Sequence, residues 1–182
     1  MPRLFYAVHL PSELQEELTP AVQSLKQFCS HARPVPKDSL HLTLLFLGEQ
    51  PESALPDFFT IGSQVVSTAR PCNVALGPVG FFPKVSFLTL TGEFETLALI
   101  SHSLLETCQD YLEQPEDRPF KPHITLARHK QNIRPTEKEK IRETFAPFVG
   151  RSWVITEMIL FESELSPKGP KYTALRRFHF SG

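Results

Sequence analysis

Cysteine is scarce in this 182-residue chain, which contains only Cys29, Cys72 and Cys108. Their number is odd, they lie far apart, and no CxxC pair occurs. This pattern argues against a disulfide-stapled scaffold and against a zinc knuckle. We therefore expect three reduced cysteines, as in a protein of the cytoplasm.

Long apolar runs and an excess of charge of one sign are also missing. No stretch approaches the roughly 18 consecutive apolar residues of a membrane-spanning helix, and the apolar run at the start is too short for a signal peptide. The net charge is −1, whereas proteins that bind duplex DNA usually carry an excess of lysine and arginine. We expect a soluble, cytoplasmic protein with no membrane contact. One local basic patch would still suffice to bind a small or single-stranded phosphate ligand.

Several common catalytic templates are absent as well. The chain has no G-x-S-x-G elbow, no P-loop lysine motif, no G-x-G-x-x-G and no H-E-x-x-H. The two glycines of "GPVGFF" (77–82) are not spaced as in a phosphate-binding loop, and a turn between strands explains them better. These absences exclude the usual sequence signatures of serine hydrolases, P-loop enzymes, dinucleotide-binding enzymes and zinc peptidases.

What is present is a mixture of strand-like and helix-like segments without a linker or low-complexity stretch between them. Apolar, β-rich runs predict strands at 3–10, 39–48, 72–82, 84–92, 121–128, 152–165 and 171–180. Amphipathic patterns predict helices at 11–28, 51–69, 94–114 and 135–146, while "RPVPKDS" (33–39) predicts a proline-set turn. With 41% hydrophobic residues, the chain can form one α+β domain spanning 1–182.

The segment "SLHLTLLFLG" (39–48) contains a histidine and a threonine two residues apart in an apolar strand. Side chains alternate between the two faces of a strand, so His41 and Thr43 share one face. The same alternation predicts that Leu42, Leu44 and Phe46 share the other face. The strand therefore directs two polar groups away from an apolar surface.

A second segment, "KPHITLAR" (121–128), repeats this arrangement with His123 and Thr125. The repeat indicates two related halves, each contributing one His-x-Thr strand. Two histidines that face one substrate can act as a general base and a general acid, because the unperturbed pKa of histidine is about 6.5. Threonine hydroxyls can donate hydrogen bonds to anionic oxygens. This set of groups suits phosphodiester cleavage without a metal ion.

The other five histidines do not belong to a repeated motif. The remaining histidines are interpreted as ordinary core or surface residues; they are His9, His31, His102, His129 and His179. Zinc binding would require a third ligand, and no histidine, cysteine or carboxylate stands at ligand spacing beside either motif. We therefore predict no metal and no cofactor at the site.

Basic residues offer candidates for phosphate binding. Arg128 follows the second motif, and its guanidinium group could bind a phosphate. Strict alternation, however, places Arg128 on the face opposite His123, so it reaches the site only if the strand ends or bulges there. The C-terminal segment is also basic, with Lys168, Lys171, Arg176 and Arg177, and forms either a solvated face or a patch that attracts substrate.

The segments "RLFYAVHLP", "LHLTLLFLGE", "RPFKPHITLAR" and "YTALRRF" together resemble the bacterial RNA 2′,3′-cyclic phosphodiesterases. These enzymes, also called 2′-5′ RNA ligases, belong to the two-histidine phosphoesterase superfamily, and the resemblance runs from the first strand to the last. It implies a bilobal α+β fold in which each lobe has an antiparallel sheet with flanking helices and the active site lies in the cleft between them. One departure from the family is the segment "RPVPKDS", where many members have a tryptophan or another large residue.

The resemblance also implies the reaction and the residue roles. The reaction is hydrolysis of an RNA 2′,3′-cyclic phosphate to a 2′-phosphate, with possible reverse 2′-5′ ligation, and it uses neither metal nor ATP. His41 would be the general acid and His123 the general base, while Thr43 and Thr125 would bind the phosphate. The residues by themselves predict the pair of roles but do not assign them.

Three functions remain open at this point. The first is hydrolysis of RNA ends that carry a 2′,3′-cyclic phosphate. The second is the opening of a small cyclic phosphate or nucleotide, which a closed pocket would favour over a basic channel. The third is a non-catalytic nucleotide- or RNA-binding module, which would have no need for two histidines. A bilobal chain of this size can bury its own core, so we expect a monomer.

Overall fold

The computed structural model of the chain describes residues 1–113, 119–166 and 169–181, which form nine strands and four α-helices. The strands are Arg3–His9 (β1), Ala32–Pro34 (β2), His41–Glu49 (β3), Cys72–Phe82 (β4), Val85–Gly92 (β5), His123–His129 (β6), Ser152–Ile155 (β7), Glu157–Ser166 (β8) and Gly169–His179 (β9). The helices are Ser12–Phe28 (α1), Leu55–Val66 (α2), Glu95–Cys108 (α3) and Pro135–Phe145 (α4). The prediction of an α+β fold is confirmed.

The strands form one antiparallel sheet that divides into two lobes. The strand order is β7-β4-β5-β6-β3-β1-β8-β9, and β2 pairs with β6 on the edge opposite β5. Between the central strands β3 and β6, Leu42 and Ile124 form the one backbone pair in the described part of the chain. We call β3, β1, β8 and β9 the first lobe, and β7, β4, β5, β6 and β2 the second lobe. The sparse pairing between them allows the lobes to splay apart into a cleft.

Two of the four helices pack on the lobe opposite to the strand that precedes them in the chain. Helices α2 and α3 pack on the first lobe, whereas α1 and α4 pack on the second. Helix α1 follows β1 in the chain and yet packs on the opposite lobe, and α3 likewise leaves β5 for the first lobe. The two related halves are therefore interleaved along the chain and do not correspond to its first and second halves.

One apolar core extends through both lobes. The bridging residues Leu42 and Ile124 are buried in the same cluster as Leu18 of α1 and Leu104 of α3. Burial of such side chains contributes roughly 1.5–3 kcal/mol each, which offsets the conformational entropy lost on folding. The three cysteines are buried and free, as predicted. In the described residues, no helix is both long and apolar enough to cross a membrane.

Candidate active site

A β-bulge in β3 determines which side chains accompany the first motif. The pairing of β3 with β1 passes from Thr43 to Leu45, so Leu44 is an extra residue in the strand. An extra residue reverses the alternation that follows it. Phe46 therefore lies on the face of His41 and is 62% exposed. The prediction that Phe46 lies on the core face was wrong, because it assumed an unbroken alternation.

A second bulge occurs at the corresponding place in β6. The pairing of β6 with β5 passes from Thr125 to Ala127 and leaves Leu126 unpaired. Arg128 consequently lies on the same side as His123 and lines the same cleft. Strict alternation would have placed Arg128 on the opposite face, and the bulge provides the exception that the sequence allowed for. Both bulges follow the motif threonine directly, so the two lobes repeat each other in this detail as well.

The Leu42–Ile124 pair brings the two motifs together. Leu42 and Ile124 are the middle residues of the two His-x-Thr motifs, and they are opposite each other in antiparallel register. One residue further in either direction, the histidine of each motif is opposite the threonine of the other. All four polar side chains line one cleft; they are His41, Thr43, His123 and Thr125.

The cleft has a volume of about 570 Å³. This volume is in the range of pockets that accept small organic ligands. Besides the motif residues, its walls carry three basic side chains, Lys26, Arg33 and Arg128, and the aromatic side chains of Phe46 and Tyr172. The combination of histidines, hydroxyls, cations and aromatic rings is suited to an anionic ligand with an attached aromatic base.

Both histidines are oriented by the same backbone interaction. The Nδ1–H group of His41 donates to the carbonyl oxygen of Ser39 at 2.7 Å, and that of His123 donates to the carbonyl oxygen of Lys121 at 2.7 Å. Each ring therefore keeps Nε2 for proton transfer. The Nε2 atom of His41 is 3.0 Å from the hydroxyl oxygen of Thr43.

An aromatic ring packs edge to face against each of the two imidazoles. The ring of Tyr172 is perpendicular to that of His41, with an interplanar angle of 89° and a centroid distance of 5.2 Å. The ring of Phe82 is placed in the same way against His123, at 90° and 5.5 Å. Edge-to-face contacts of this kind are favourable and restrict ring rotation. The two imidazoles are therefore preorganised.

Burial lowers the pKa of His41 to about 4. The nearby His9, His123 and Arg128 act in the same direction, because each disfavours a second positive charge, while the hydrogen bond to Ser39 acts against them. His41 is therefore a neutral imidazole at pH 7 in the free protein. An anion bound in the cleft would favour the protonated imidazole and raise the pKa of His41.

The described basic residues of the C-terminal segment do not line the cleft. The guanidinium group of Arg176 lies over the ring of Phe59, 5.1 Å from its centroid, and Arg177 bonds to a glutamate of β8. Lys171 is exposed on β9 and is not part of the cleft lining. Lys168 lies outside the described residues. The first of the two interpretations, a solvated face, describes the arginines better.

Two basic cleft residues were missed in the sequence. Arg33 belongs to the short strand β2, which was predicted to be a turn, and it is paired with Arg128 of β6. Lys26 extends into the cleft from the last turn of α1. A single arginine in a proline-rich segment has no periodic pattern, so only the pairing of β2 with β6 reveals its position.

Comparisons with known proteins agree with this geometry. A family model described as "2'-5' RNA ligase superfamily" matches residues 10–166. A Thermus thermophilus protein named RNA 2′,3′-cyclic phosphodiesterase is 37% identical over 99% of this chain and 91% of its own. An Escherichia coli protein of the same name is 26% identical over 97% and 95% of the two chains.

Solved structures show the same fold. A crystal structure from Thermus thermophilus superposes with a TM-score of 0.80 and 37% identity, covering 99% of this chain and 98% of the other. A crystal structure of Escherichia coli LigT complexed with 3′-AMP gives a TM-score of 0.77 at 26% identity, covering 100% and 99% of the chains. The bilobal arrangement is thus shared over the full length of these proteins.

Proposed function

Because the chain belongs to the 2′-5′ RNA ligase superfamily, we propose that it hydrolyses RNA 2′,3′-cyclic phosphates to 2′-phosphates. The observation that carries this proposal is the convergence of both His-x-Thr motifs and Arg128 on one cleft. A phosphodiester needs a base for the attacking water, an acid for the leaving oxygen and donors for the charged oxygens. The cleft contains two histidines for the acid and base, and two threonines and Arg128 as donors to the charged oxygens.

We propose that the two histidines divide the proton transfers. Nε2 of His123 takes a proton from the attacking water, and the water oxygen forms a bond to phosphorus. The bond from phosphorus to the 3′ oxygen breaks, and Nε2–H of His41 gives that oxygen its proton. The products are a 2′-phosphate and a 3′-hydroxyl, and the added water accounts for every atom. The assignment of acid and base follows the family resemblance.

The remaining cleft residues are proposed to bind the substrate. The hydroxyls of Thr43 and Thr125 donate to the non-bridging phosphate oxygens, as their places beside the histidines permit. The positive charge of Arg128 lowers the pKa of His41, which indicates that the two side chains are close. We therefore propose that the Arg128 guanidinium group binds the phosphate on which His41 acts. Arg33 and Lys26 extend the positive wall toward neighbouring phosphates of an RNA strand.

The product assay is the direct test of this function. We expect the protein to convert a short RNA with a 2′,3′-cyclic phosphate end into the 2′-phosphate product in the presence of EDTA. Mass spectrometry detects the increase in RNA mass by one water molecule. A phosphatase with known positional preference distinguishes the 2′-phosphate product from the 3′-phosphate product. Loss of activity in EDTA by a protein that stays folded by circular dichroism, with recovery on adding a divalent metal, would contradict the metal-independent mechanism.

The protonation of His41 gives a second test. Since its pKa is about 4 in the free protein, its role as acid requires that a bound anion raises this pKa. In NMR titrations we expect the His41 ring protons to titrate near pH 4 without ligand and at higher pH with saturating sulfate, whose charge is constant in this range. Substitution Arg128→Met should also raise the free-state pKa, since it removes a positive charge. A pKa at the ordinary histidine value of about 6.5 that sulfate leaves unchanged would contradict this account.

We propose that the substrates are RNA strands that end in a 2′,3′-cyclic phosphate rather than free cyclic mononucleotides. Three basic side chains, Arg33, Lys26 and Arg128, line the cleft, and this number of cations favours a strand with several phosphates. Comparison of kcat/KM for an oligonucleotide and for a 2′,3′-cyclic mononucleotide separates these alternatives. The reverse joining of a cyclic end to a 5′-hydroxyl is proposed as a minor activity, because water is far more abundant than RNA hydroxyls.

We further propose that the chain acts as a monomeric, cytoplasmic enzyme, with residues 1–182 forming one two-lobed domain. The continuous core through both lobes supports a single cooperative unit. The buried, free cysteines fit a reducing compartment.

A further inference from the structure

Three side chains of types that can bind a metal converge outside the cleft, where the end of α1 meets strands β2 and β6. Cys29 follows the end of α1, His31 precedes β2, and His129 is the last residue of β6. Their exposed fractions are 0%, 8% and 5%, so all three are buried. One ligand atom from each residue lies within 4.8 Å of the other two. We call these three residues the Cys-His-His cluster.

The distances in the cluster match those of a metal site. The sulfur of Cys29 is 3.4 Å from Nδ1 of His129, and it is 3.4 Å and 3.8 Å from Nε2 and Nδ1 of His31. In a tetrahedral zinc site, bonds of about 2.3 Å to sulfur and about 2.0–2.1 Å to nitrogen separate these two atoms by about 3.5 Å. The side chains therefore need little rearrangement to surround an ion.

Outer partners already orient both imidazole rings. Nε2 of His129 is 3.1 Å from the hydroxyl oxygen of Ser86, and Nε2 of His31 is 3.2 Å from a carboxylate oxygen of Glu137. Metal-bound histidines typically have their second nitrogen bonded to such an oxygen, which directs the first nitrogen at the ion. This arrangement leaves Nδ1 of His129 facing Cys29, and Nδ1 of His31 lies 3.8 Å from the same sulfur atom.

The charges around the cluster also suit a divalent cation. Glu137 is buried and bears a negative charge that Arg134 holds in place, with 2.7 Å between the guanidinium and carboxylate atoms. Its carboxylate contacts Nε2 of His31 and is the outer partner of that ring, so the cluster itself supplies three ligands. Thiolate and imidazole ligands favour zinc over magnesium or calcium, which prefer oxygen.

We propose that Cys29, His31 and His129 bind one zinc ion that ties the end of α1 to strands β2 and β6. On binding, the ion replaces the thiol proton of Cys29, which passes to solvent. The cluster lies at one end of the β2–β6 pairing, where Ala32 is paired with His129, and the next pair is Arg33 with Arg128. The ion would therefore hold in place the strand pair that presents two cleft arginines, without touching the substrate.

Metal content is the first measurement. The protein is stripped with a chelator, incubated with Zn²⁺ and dialysed against metal-free buffer, and zinc is then measured by mass spectrometry. We expect one zinc per chain in the wild type and almost none in Cys29→Ala. Cys108→Ala is the matched control, because Cys108 is equally buried but lies outside the cluster, and it should retain one zinc.

A measurement on the wild type alone guards against a variant that fails to fold. Replacement of zinc by Co²⁺ should produce the intense near-ultraviolet charge-transfer band of a cobalt–thiolate bond. Zinc should also raise the melting temperature of the stripped wild type. A wild-type protein that retains no zinc and shows no thiolate band would overturn the proposal and leave the cluster as a hydrogen-bonded network. The zinc content, the cobalt spectrum and the melting temperature are all measured without RNA. Their outcomes are therefore independent of the proposed hydrolysis.

Discussion

Replacement of His41 or His123 with alanine should lower kcat/KM for the RNA cyclic phosphate by about 10²–10⁴-fold. Each substitution removes one of the two proton-transfer groups, while Arg128 and the threonines remain to bind the phosphate. The loss should therefore fall mainly on kcat, with a smaller change in KM. Steady-state kinetics of the two variants, with melting temperatures beside them, provide the measurement.

A histidine outside the cleft provides the matched control. His102 lies on α3, its side chain is 67% exposed, and its contact is with Glu106 one turn away. His102→Ala should keep wild-type kinetics, since surface substitutions of this kind change little. The double variant of His41 and His123 should be scarcely slower than either single variant, because the two groups act together. Activity retained by both single variants would refute the assignment of the site.

Substitution of Leu42 by alanine should lower the free energy of unfolding by about 2–5 kcal/mol. Leu42 is 1% exposed, and it forms the backbone pair with Ile124 that joins the two lobes. Truncation leaves a cavity on the core side of the strand that carries His41 and Thr43. Denaturant unfolding of the variant measures the loss of unfolding free energy. Steady-state kinetics of RNA hydrolysis show whether His41 and Thr43 are displaced.

Two comparisons make this prediction specific. Leu99→Ala alters a leucine of α3 that is 68% exposed, and it should change stability by no more than about 0.5 kcal/mol. A double-mutant cycle of Leu42→Ala with Ile124→Val should give a coupling energy of about 0.5–3 kcal/mol, because the two residues are paired across the lobes. Strict additivity would argue that the lobes are held together elsewhere.

The common face of each His-x-Thr pair could be predicted because its signal is local. Alternation along a strand requires only neighbouring residues, so the common face of His41 and Thr43 follows from their spacing. The same holds for His123 and Thr125, and the structure brings all four to one cleft. The family resemblance, carried by the same segments, agrees with the family match over residues 10–166.

The bulges could not be predicted from the strands that contain them. Whether Leu44 and Leu126 are extra residues depends on the register with β1 and β5, which are distant in the chain. Each bulge reverses the face of the residues after it, and thereby moves Phe46 and Arg128 into the cleft. Strict alternation was therefore right up to each threonine and failed after it.

The sequence by itself determined the α+β class, the two His-x-Thr strands and the family, because strand periodicity and short motifs are local properties. The tertiary structure alone decided which helix covers which lobe, how Arg33 reaches Arg128, and that Cys29 meets His129 from 100 residues away. These features depend on packing and pairing between distant segments. No pattern within a single segment encodes them, since each results from the minimum of free energy for the whole chain.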